Sequence, residues 1–478
     1  MSEVAWETVI GLEVHCELAT ATKLFCGCRN AFGDEPNTNV CPVCLGLPGS
    51  LPVLNGQAVE LAMRIGTALH CQIRPSTFAR KNYFYPDQAK DYQISQYDQP
   101  INLDGWLELP DGYRVGVTRA HMEEDTGKLT HVGAGGRINS AHHALVDYNR
   151  SGVPLVEIVS EPDMRSSAQA RAYAAELRGI LVATGASDGR MEEGSMRVDA
   201  NVSVRPAGES AFGTRCEIKN LNSLRSLHRA IDYEAARQIA LIESGERVAQ
   251  ETRHWDEAAG RTESMRSKEE ANDYRYFPEP DLVPLVPDHE WQARVRAAMG
   301  PMPADRRAAL VGALGGTASP AEADQIRAVV DLGLDSLVTA AVAGGAPAPL
   351  ALARAANEVA AQSEAGLALP ADSFGALVAL EAGGQLSATQ SKAVLAALLQ
   401  AGGGDPAAVA QEMGFEALGA DTLAGVVAEV VAACPDEWAR YLDGDDKVTG
   451  VFVGAVMKAT ANQANGKDVM AELRRLRG

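Results

Sequence analysis

The stretch His121-Met-Glu-Glu-Asp-Thr-Gly-Lys128 places three consecutive carboxylates, Glu123, Glu124 and Asp125, between an imidazole and an ammonium group. Crowded carboxylates repel one another, and their pKa values rise unless a cation or a donor compensates. Hard cations such as Mg²⁺ take oxygen ligands from one or two carboxylates and fill the rest of their shell with phosphates and water. By itself the stretch also reads as a solvated acidic turn, with Gly127 letting the backbone reverse. A second chemical set is Cys26-Gly-Cys28, followed by Cys41-Pro-Val-Cys44. Paired short spacings let each knuckle present two thiolates to one tetrahedral zinc, leaving no open position for catalysis. The first pair is CxC rather than the commoner CxxC, and free or redox thiols are the alternative.

The elements that must position these groups read as strands with one apolar and one polar face. From Val9 to Leu18, Leu12, Val14, Cys16 and Leu18 share one side, and Glu13, His15 and Glu17 the other, because strand side chains alternate. Arg197 to Arg205 repeats the device, with Arg197, Asp199, Asn201, Ser203 and Arg205 opposite Val198, Ala200, Val202 and Val204. Arg215, Glu217 and Lys219 line up in the next strand, and Asp147 and Asn149 in Val146–Arg150. Each strand sets an acid beside a base or an amide. A sheet lined in this way can hold a metal-bound nucleotide, carboxylates facing the metal and Arg or Lys facing phosphate oxygens.

Arg80-Lys-Asn-Tyr-Phe-Tyr-Pro-Asp87 and Tyr92-Gln-Ile-Ser-Gln-Tyr-Asp98 interleave aromatics with cations and amides, as base stacking with phosphate contacts requires. An aromatic turn packed on the sheet is the plainer reading of the same run. Arg266-Ser-Lys268 and Asp273-Tyr-Arg-Tyr-Phe-Pro-Glu-Pro-Asp281 add a further basic and aromatic stretch.

Helices are expected over residues 56–70, from a Ser166/Ser167 cap to Thr184, and from a Ser223 cap through Ile242 to Gly245. Arg225, Arg229 and Arg237 on the last suit either a solvated face, the reading favoured, or an RNA-phosphate contact. Beyond residue 293 Ala and Gly dominate, with helices such as Ile326–Val342 and Ser391–Leu399 and a Gly402-Gly-Gly-Asp-Pro406 hinge. Four short helices follow, over Ala407–Glu412, Leu423–Ala433, Val448–Gln463 and Val469–Leu476, and the end turns basic with Lys447, Lys458, Lys467, Arg474, Arg475 and Arg477.

The chain's 478 residues exceed one ordinary core, so two or three domains are expected. A formal charge of −20 argues against a sequence-independent nucleic-acid coat. The N-terminus lacks a basic region followed by an apolar one, and no apolar run reaches bilayer length, so a cytoplasmic location is expected. P-loop, dinucleotide and His-Glu-x-x-His signatures are absent. Cys16, Cys71, Cys216 and Cys434 are isolated and read as buried small hydrophobes.

Together, Val-Ile-Gly-Leu-Glu-Val-His15, Val-Cys-Pro-Val-Cys-Leu-Gly-Leu-Pro-Gly49, the two aromatic runs and His-Met-Glu-Glu-Asp125 resemble the B subunit of the aspartyl/glutamyl-tRNA amidotransferase. Gly-Thr-Arg-Cys-Glu-Ile-Lys-Asn-Leu-Asn222 and Asp-Tyr-Arg-Tyr-Phe-Pro-Glu-Pro-Asp281 extend the resemblance. It is dense to about residue 290 and continues as helical architecture. It implies an α+β fold in three parts: a cradle at 1–292 with a mainly antiparallel, glutamine-synthetase-like sheet and the knuckle at 26–44, a helical domain at 293–405, and a YqeY-like tail at 406–478. It implies one component of an ATP-dependent ligase that phosphorylates the side-chain carboxylate of misacylated Glu-tRNA(Gln) or Asp-tRNA(Asn). Ammonia from a glutaminase A subunit then displaces phosphate. Partners would be the A and C subunits, the tRNA, gripped by the tail, and a synthetase in a larger complex.

By the same resemblance, Glu13, His15 and Glu124 would ligate Mg²⁺, with Glu123 and Glu217 nearby. Lys81, Asn82, Tyr83, Tyr85, Asp199, Arg215 and Lys219 would bind substrate or nucleotide, and Cys26, Cys28, Cys41 and Cys44 would hold structural Zn²⁺. The chain departs from the family pattern at Gln88-Ala-Lys-Asp91, where Leu-Pro-Lys-Gly is expected, and at Thr126, where alanine is usual. A tRNA-binding module without chemistry, and a ligase acting on free glutamate, are the competing readings.

Overall fold

The computed structural model describes residues 5–133, 141–265, 274–415, 420–460, 464 and 466–477. The chain divides into one compact unit through Met302 and a second from Pro303.

The first unit is built on a twelve-stranded sheet. Its strands are β1 (Trp6–Glu17), β2 (Gln72–Ile73), β3 (Thr77–Asn82), β4 (Tyr92–Gln99), β5 (Asn102–Glu108) and β6 (Arg114–Glu124). After a separate hairpin of β7 (Lys128–Gly133) and β8 (Ala141–Asp147) come β9 (Pro154–Ser160), β10 (Met196–Pro206), β11 (Cys216–Leu221), β12 (Thr252–Asp256), β13 (Arg261–Ser264) and β14 (Phe277–Pro278). The main path runs β13-β12-β11-β10-β1-β9-β6-β4-β3-β14, with β5 also on β6 and β2 on β5. Every pairing among the described residues is antiparallel except β11 with β12. A large mixed-element sheet with a helical C-terminal region is thus the architecture.

One face of the sheet is core. Ile10, Leu12, Val14 and Cys16 of β1, Met122 of β6, Val156 and Ile158 of β9, and Ala200 and Val202 of β10 are at most 1% exposed. Three helices cover this face: α1 (Gly56–Ala68), α2 (Ser167–Ala183) and α3 (Leu224–Glu243). Their ends follow the sequence. Ser166 Oγ accepts from Gln169 N–H (3.2 Å) and Ser223 Oγ from Ser226 N–H (3.0 Å), satisfying donors left open in a first turn. Gly185 and Gly245 terminate the helices with φ of +68° and +83°.

Three readings change. The helix α4 (His289–Ala297) straddles the expected boundary at 292 but belongs to the first unit. Val295 is in its core and Trp291 Nε1 donates to Glu60 of α1 (2.9 Å). The expected helix Ile326–Val342 is broken at Gly333 (φ +73°) into Pro320–Asp331 and Asp335–Ala343. In the second unit, helix Pro406–Glu412 contributes Ala410 to the helical core of Leu310–Leu399, so it does not open the tail. A separate apolar cluster joins Leu423, Val427, Tyr441, Phe452, Val456, Val469 and Leu473. No single helix among the described residues is long and apolar enough to cross a membrane.

Leu12 sits at the centre of the core at 1% exposure. Leu12→Ala is expected to cost about 2–5 kcal/mol, read as a lowered urea midpoint of unfolding.

Candidate functional site

The opposite face of the sheet is polar, and the register of its central strands builds the site. His15 pairs with Glu157 of β9 on one side and Arg197 of β10 on the other, while Glu13 pairs with Asp199. His121 of β6 pairs with the same Glu157. His15 Nε2 lies 3.4 Å from Glu157, 3.6 Å from Glu13 and 3.7 Å from Glu123. Ligand atoms of Glu13, His15 and Glu157 lie within 4.8 Å of one another, as do those of His121, Glu123 and Glu157.

The electrostatics follow from burying several acids around one imidazole. Burial disfavours the His15 cation, but the hydrogen bond to Glu157 and the charges of Glu123, Glu157 and Glu13 win and push its pKa up to about 9. Burial, with the Glu157 charge adding to it, pushes Glu123 up to about 7 against the pull of His15. Glu13 is raised for the same reasons. Glu157 goes the other way. Burial would raise it, yet the His15 hydrogen bond and the charges of His121 and His15 hold it well below the usual carboxylate range. His121, fully buried, is lowered to about 4; its Nδ1 has no hydrogen-bond partner among the described residues. An acid cluster gathered around one histidine fits a divalent cation, which would supply the positive charge that burial demands.

Beside this cluster, Lys219 Nζ bridges Asp199 (2.7 Å) and Glu217 (3.0 Å), and Thr252 donates to Glu217 (2.8 Å). The four knuckle sulfurs lie within 4.8 Å of one another, and those of Cys41 and Cys44 are 3.9 Å apart. Sulfurs around a tetrahedral zinc sit about 3.8 Å apart, so the quartet fits that ion. The hydrogen bond from Cys26, aided by the Cys41 backbone and buried Lys23, brings the Cys44 thiol down to about 5 against desolvation.

Comparison with known proteins then decides the family. The GatB/GatE catalytic domain matches residues 8–293, and the GatB domain matches residues 339–476. A relative from Frankia casuarinae, named as the B subunit of aspartyl/glutamyl-tRNA(Asn/Gln) amidotransferase, is 51% identical, covering 97% of this chain and 94% of its own. Relatives of that name from Mycobacterium tuberculosis (strain H37Ra; 49% identical, 97% and 93% covered) and Gloeobacter violaceus (48%, 97% and 85%) agree. The chain belongs to the GatB family.

Within this GatB-family chain, the expected residues separate. Glu13, His15 and Glu123 are brought together; Glu124 is not. The acidic stretch is the end of strand β6 rather than a turn, so neighbours point to opposite faces. Glu124, 2% exposed, faces the cysteine knuckle. There it pairs with Lys90, accepts from Ile94 N–H (3.0 Å), and lines a cavity of about 60 Å³ with Phe25, Cys44 and Tyr92. Asp125 is neutralised by Arg197 (2.7 Å) and Arg150 (3.3 Å). The metal-ligand expectation for Glu124 therefore passes to Glu123 on geometry. Gly46 (φ +66°) lies where a Cβ would come within 2.5 Å of the Lys90 side chain, so the knuckle closes over that lysine only as glycine.

Asn82 is occupied structurally, its amide donating to the carbonyls of Tyr274 (3.1 Å) and Arg275 (2.8 Å). Lys81 Nζ sits 4.8 Å from the Tyr274 ring, and Tyr83 and Tyr85 stack on each other at 5.5 Å. Arg215 is exposed just before β11. Asp91, at the position expected to be glycine, takes a left-handed φ of +61°, which Asp tolerates better than most residues. Thr126 Oγ donates to Asp87 (3.2 Å). Cys16 and Cys216 are buried as expected, whereas Cys71 and Cys434 are half-buried. On α3, Arg229 pairs with Glu257 and Arg237 with Glu234, each at 2.6 Å. Of the late basic residues, Arg475 pairs with Glu472 (2.6 Å) and Arg477 with Asp446 (2.9 Å). The run Arg266–Lys268 lies outside the described residues.

Glu157 is the residue the sequence reading missed. Its signal was a lone carboxylate inside the apolar run Pro154-Leu-Val-Glu-Ile-Val159, visible only once β9 is known to lie beside β1.

Two outcomes follow. A divalent cation held by this cluster would displace protons kept by His15 up to about pH 9 and by Glu123 up to about pH 7, so affinity for Mg²⁺ is expected to rise from pH 6 to 9. Calorimetry in buffers of different ionisation enthalpy should show proton release; pH-independent affinity would contradict it. One zinc per chain is expected by elemental analysis, with Cys41→Ser losing it and lowering the melting temperature.

Proposed function

We propose that this chain is the B subunit of a tRNA-dependent amidotransferase whose polar sheet face activates the side-chain carboxylate of glutamate or aspartate esterified to tRNA. The observation that carries this reading is the cluster of Glu13, His15, Glu123 and Glu157, with Glu123 buried and the others half-buried, in a chain similar along nearly its whole length to proteins named as the B subunit of that amidotransferase. A module that only binds RNA has no use for three carboxylates, one buried and two half-buried, gathered around one imidazole.

A carboxylate is a poor electrophile. Transfer of the γ-phosphoryl group of ATP to it makes an acyl phosphate, and ammonia then displaces phosphate to leave the amide. Glu13, His15 and Glu123 are the residues to hold Mg²⁺, with Glu157 beside them. When bound, the ion supplies positive charge against the repulsion between ATP and the carboxylate. The protein's own groups orient the reactants. Lys219, held between Asp199 and Glu217, and Lys81 at the other flank are cations placed to meet phosphate oxygens. Ammonia would come from glutamine hydrolysed in an A subunit, with a C subunit completing the complex. The cysteine quartet would hold structural Zn²⁺, and the tail would contact tRNA. The amidated tRNA would serve translation in the cytoplasm.

The test is reconstitution with A and C subunits on misacylated Glu-tRNA(Gln) and Asp-tRNA(Asn), with ammonia replacing glutamine as a control. Glu123→Gln is expected to lower tRNA-dependent ATP hydrolysis by ~100-fold or more while tRNA binding stays within a few-fold. ATP hydrolysis at the wild-type rate would sink the assignment of Glu123, and amidation of free glutamate without tRNA would sink the substrate class.

A further inference from the structure

At the β4–β3–β14 edge of the site, three tyrosines form a ladder outside the apolar core. Tyr97 of β4 stacks on Tyr276 with centroids 4.1 Å apart and planes 12° from parallel, and Tyr276 meets Tyr274 edge-on at 6.1 Å. Tyr97 remains 51% exposed. The segment leading into β14, which carries Tyr274 and Tyr276, is strapped down. Arg80 grips Glu279 with two hydrogen bonds (2.7 and 2.8 Å). Asn82 donates through its amide to the carbonyls of Tyr274 and Arg275, and through its backbone N–H to Tyr274 (2.9 Å). Arg275 holds a left-handed φ of +45°, a conformation that needs such over-determination. The ladder borders the acid cluster. β4 pairs with β6 at Ser95 opposite Glu123, two residues along the strand from Tyr97, and burial with the charges of Tyr97, Glu123, Tyr274 and Glu157 raises the Tyr276 pKa. Lys81 Nζ, 4.8 Å from the Tyr274 ring, puts a cation beside the stack.

A rigid, exposed aromatic stack with an adjacent ammonium is the chemistry that receives an unpaired base and its phosphate. Resting on the proposed function, we infer that Tyr97 and Tyr276 form the stacking platform for the 3′-terminal base of the aminoacyl-tRNA, with Lys81 facing its phosphate. The amino acid is esterified to that nucleotide's own ribose, so its base must lie only a ribose and a side chain away from the carboxylate that reacts. Tyr97 of the ladder lies on the strand next to the one that carries Glu123. The base of ATP lies a ribose and two phosphates away from the transferred phosphoryl group. On the other flank of the cluster a hollow of about 670 Å³, lined by Arg197, Asp199, Lys219, Asn220 and Asn222, has the size and concavity for it. An open edge suits a strand end entering from outside, and a hollow suits a free nucleotide.

The experiment uses the reconstituted complex and two readouts. Tyr97→Ala and Tyr276→Ala are expected to raise KM for misacylated tRNA about tenfold, with KM for ATP unchanged, and Tyr97→Phe and Tyr276→Phe to restore it. tRNA carrying 2-aminopurine as its 3′-terminal base should be quenched on binding the wild-type complex and not on binding the alanine variants. A rise in KM for ATP instead would assign the stack to the nucleotide and overturn the inference. Unchanged KM values, or quenching that survives both alanine changes, would also overturn it. A wild-type complex inactive on every misacylated tRNA would refute the proposed function, and the platform with it. An active wild type with unaffected variants would refute the platform alone.

Discussion

Negative charge buried in the middle of a sheet is the constraint around which the first unit is arranged. Carboxylates taken out of water must be paired, protonated or given a cation. The three consecutive acids of the His121–Lys128 stretch meet that requirement in three different ways. Glu124 turns towards the knuckle and Lys90, Asp125 is held by Arg197 and Arg150, and Glu123 enters the cluster around His15. Only the last set is left with more acid than base, and there a divalent ion and its phosphates have electrostatic reason to bind.

That separation depends on geometry finer than composition. A strand places neighbours on opposite faces, so Glu123 of β6 joins the cluster around His15 while adjacent Glu124 turns to Lys90. The antiparallel register then sets Glu157 between His15 and His121, and Asp199 across from Glu13. A slip of one residue would bury the polar set against α2 and α3, so the apolar alternation of Ile10, Leu12, Val14 and Cys16 holds the register that assembles the cluster.

Around that centre the flanks differ in character. The β10–β11 side is concave and amide-lined, with a bridged lysine. The β3–β4–β14 side is open and aromatic, fixed by Asn82 and by the Arg80–Glu279 pair.

Much of this was legible in the sequence. Alternation in Glu13–His15 and in Arg197–Arg205, the serine caps at 166 and 223, and the cysteine spacing all rest on local periodicity and local chemistry, which a linear sequence carries directly. The family, too, was readable from long motifs in fixed order. The tertiary structure alone decided the rest. Glu157 sits in an apolar run, and its partners His15 and His121 lie 142 and 36 residues away in the chain, so only strand order could unite them. Glu123 rather than Glu124 stands beside His15 because adjacency in sequence is opposition on a strand. Helix α4 joined the first unit, and helix Pro406–Glu412 the helical core, because burial of Val295 and Ala410 outweighs a change in composition or a run of glycines. Sequence specifies each face by its period, but which faces meet, and therefore where charge is left uncompensated, is set by long-range pairing that no local pattern encodes.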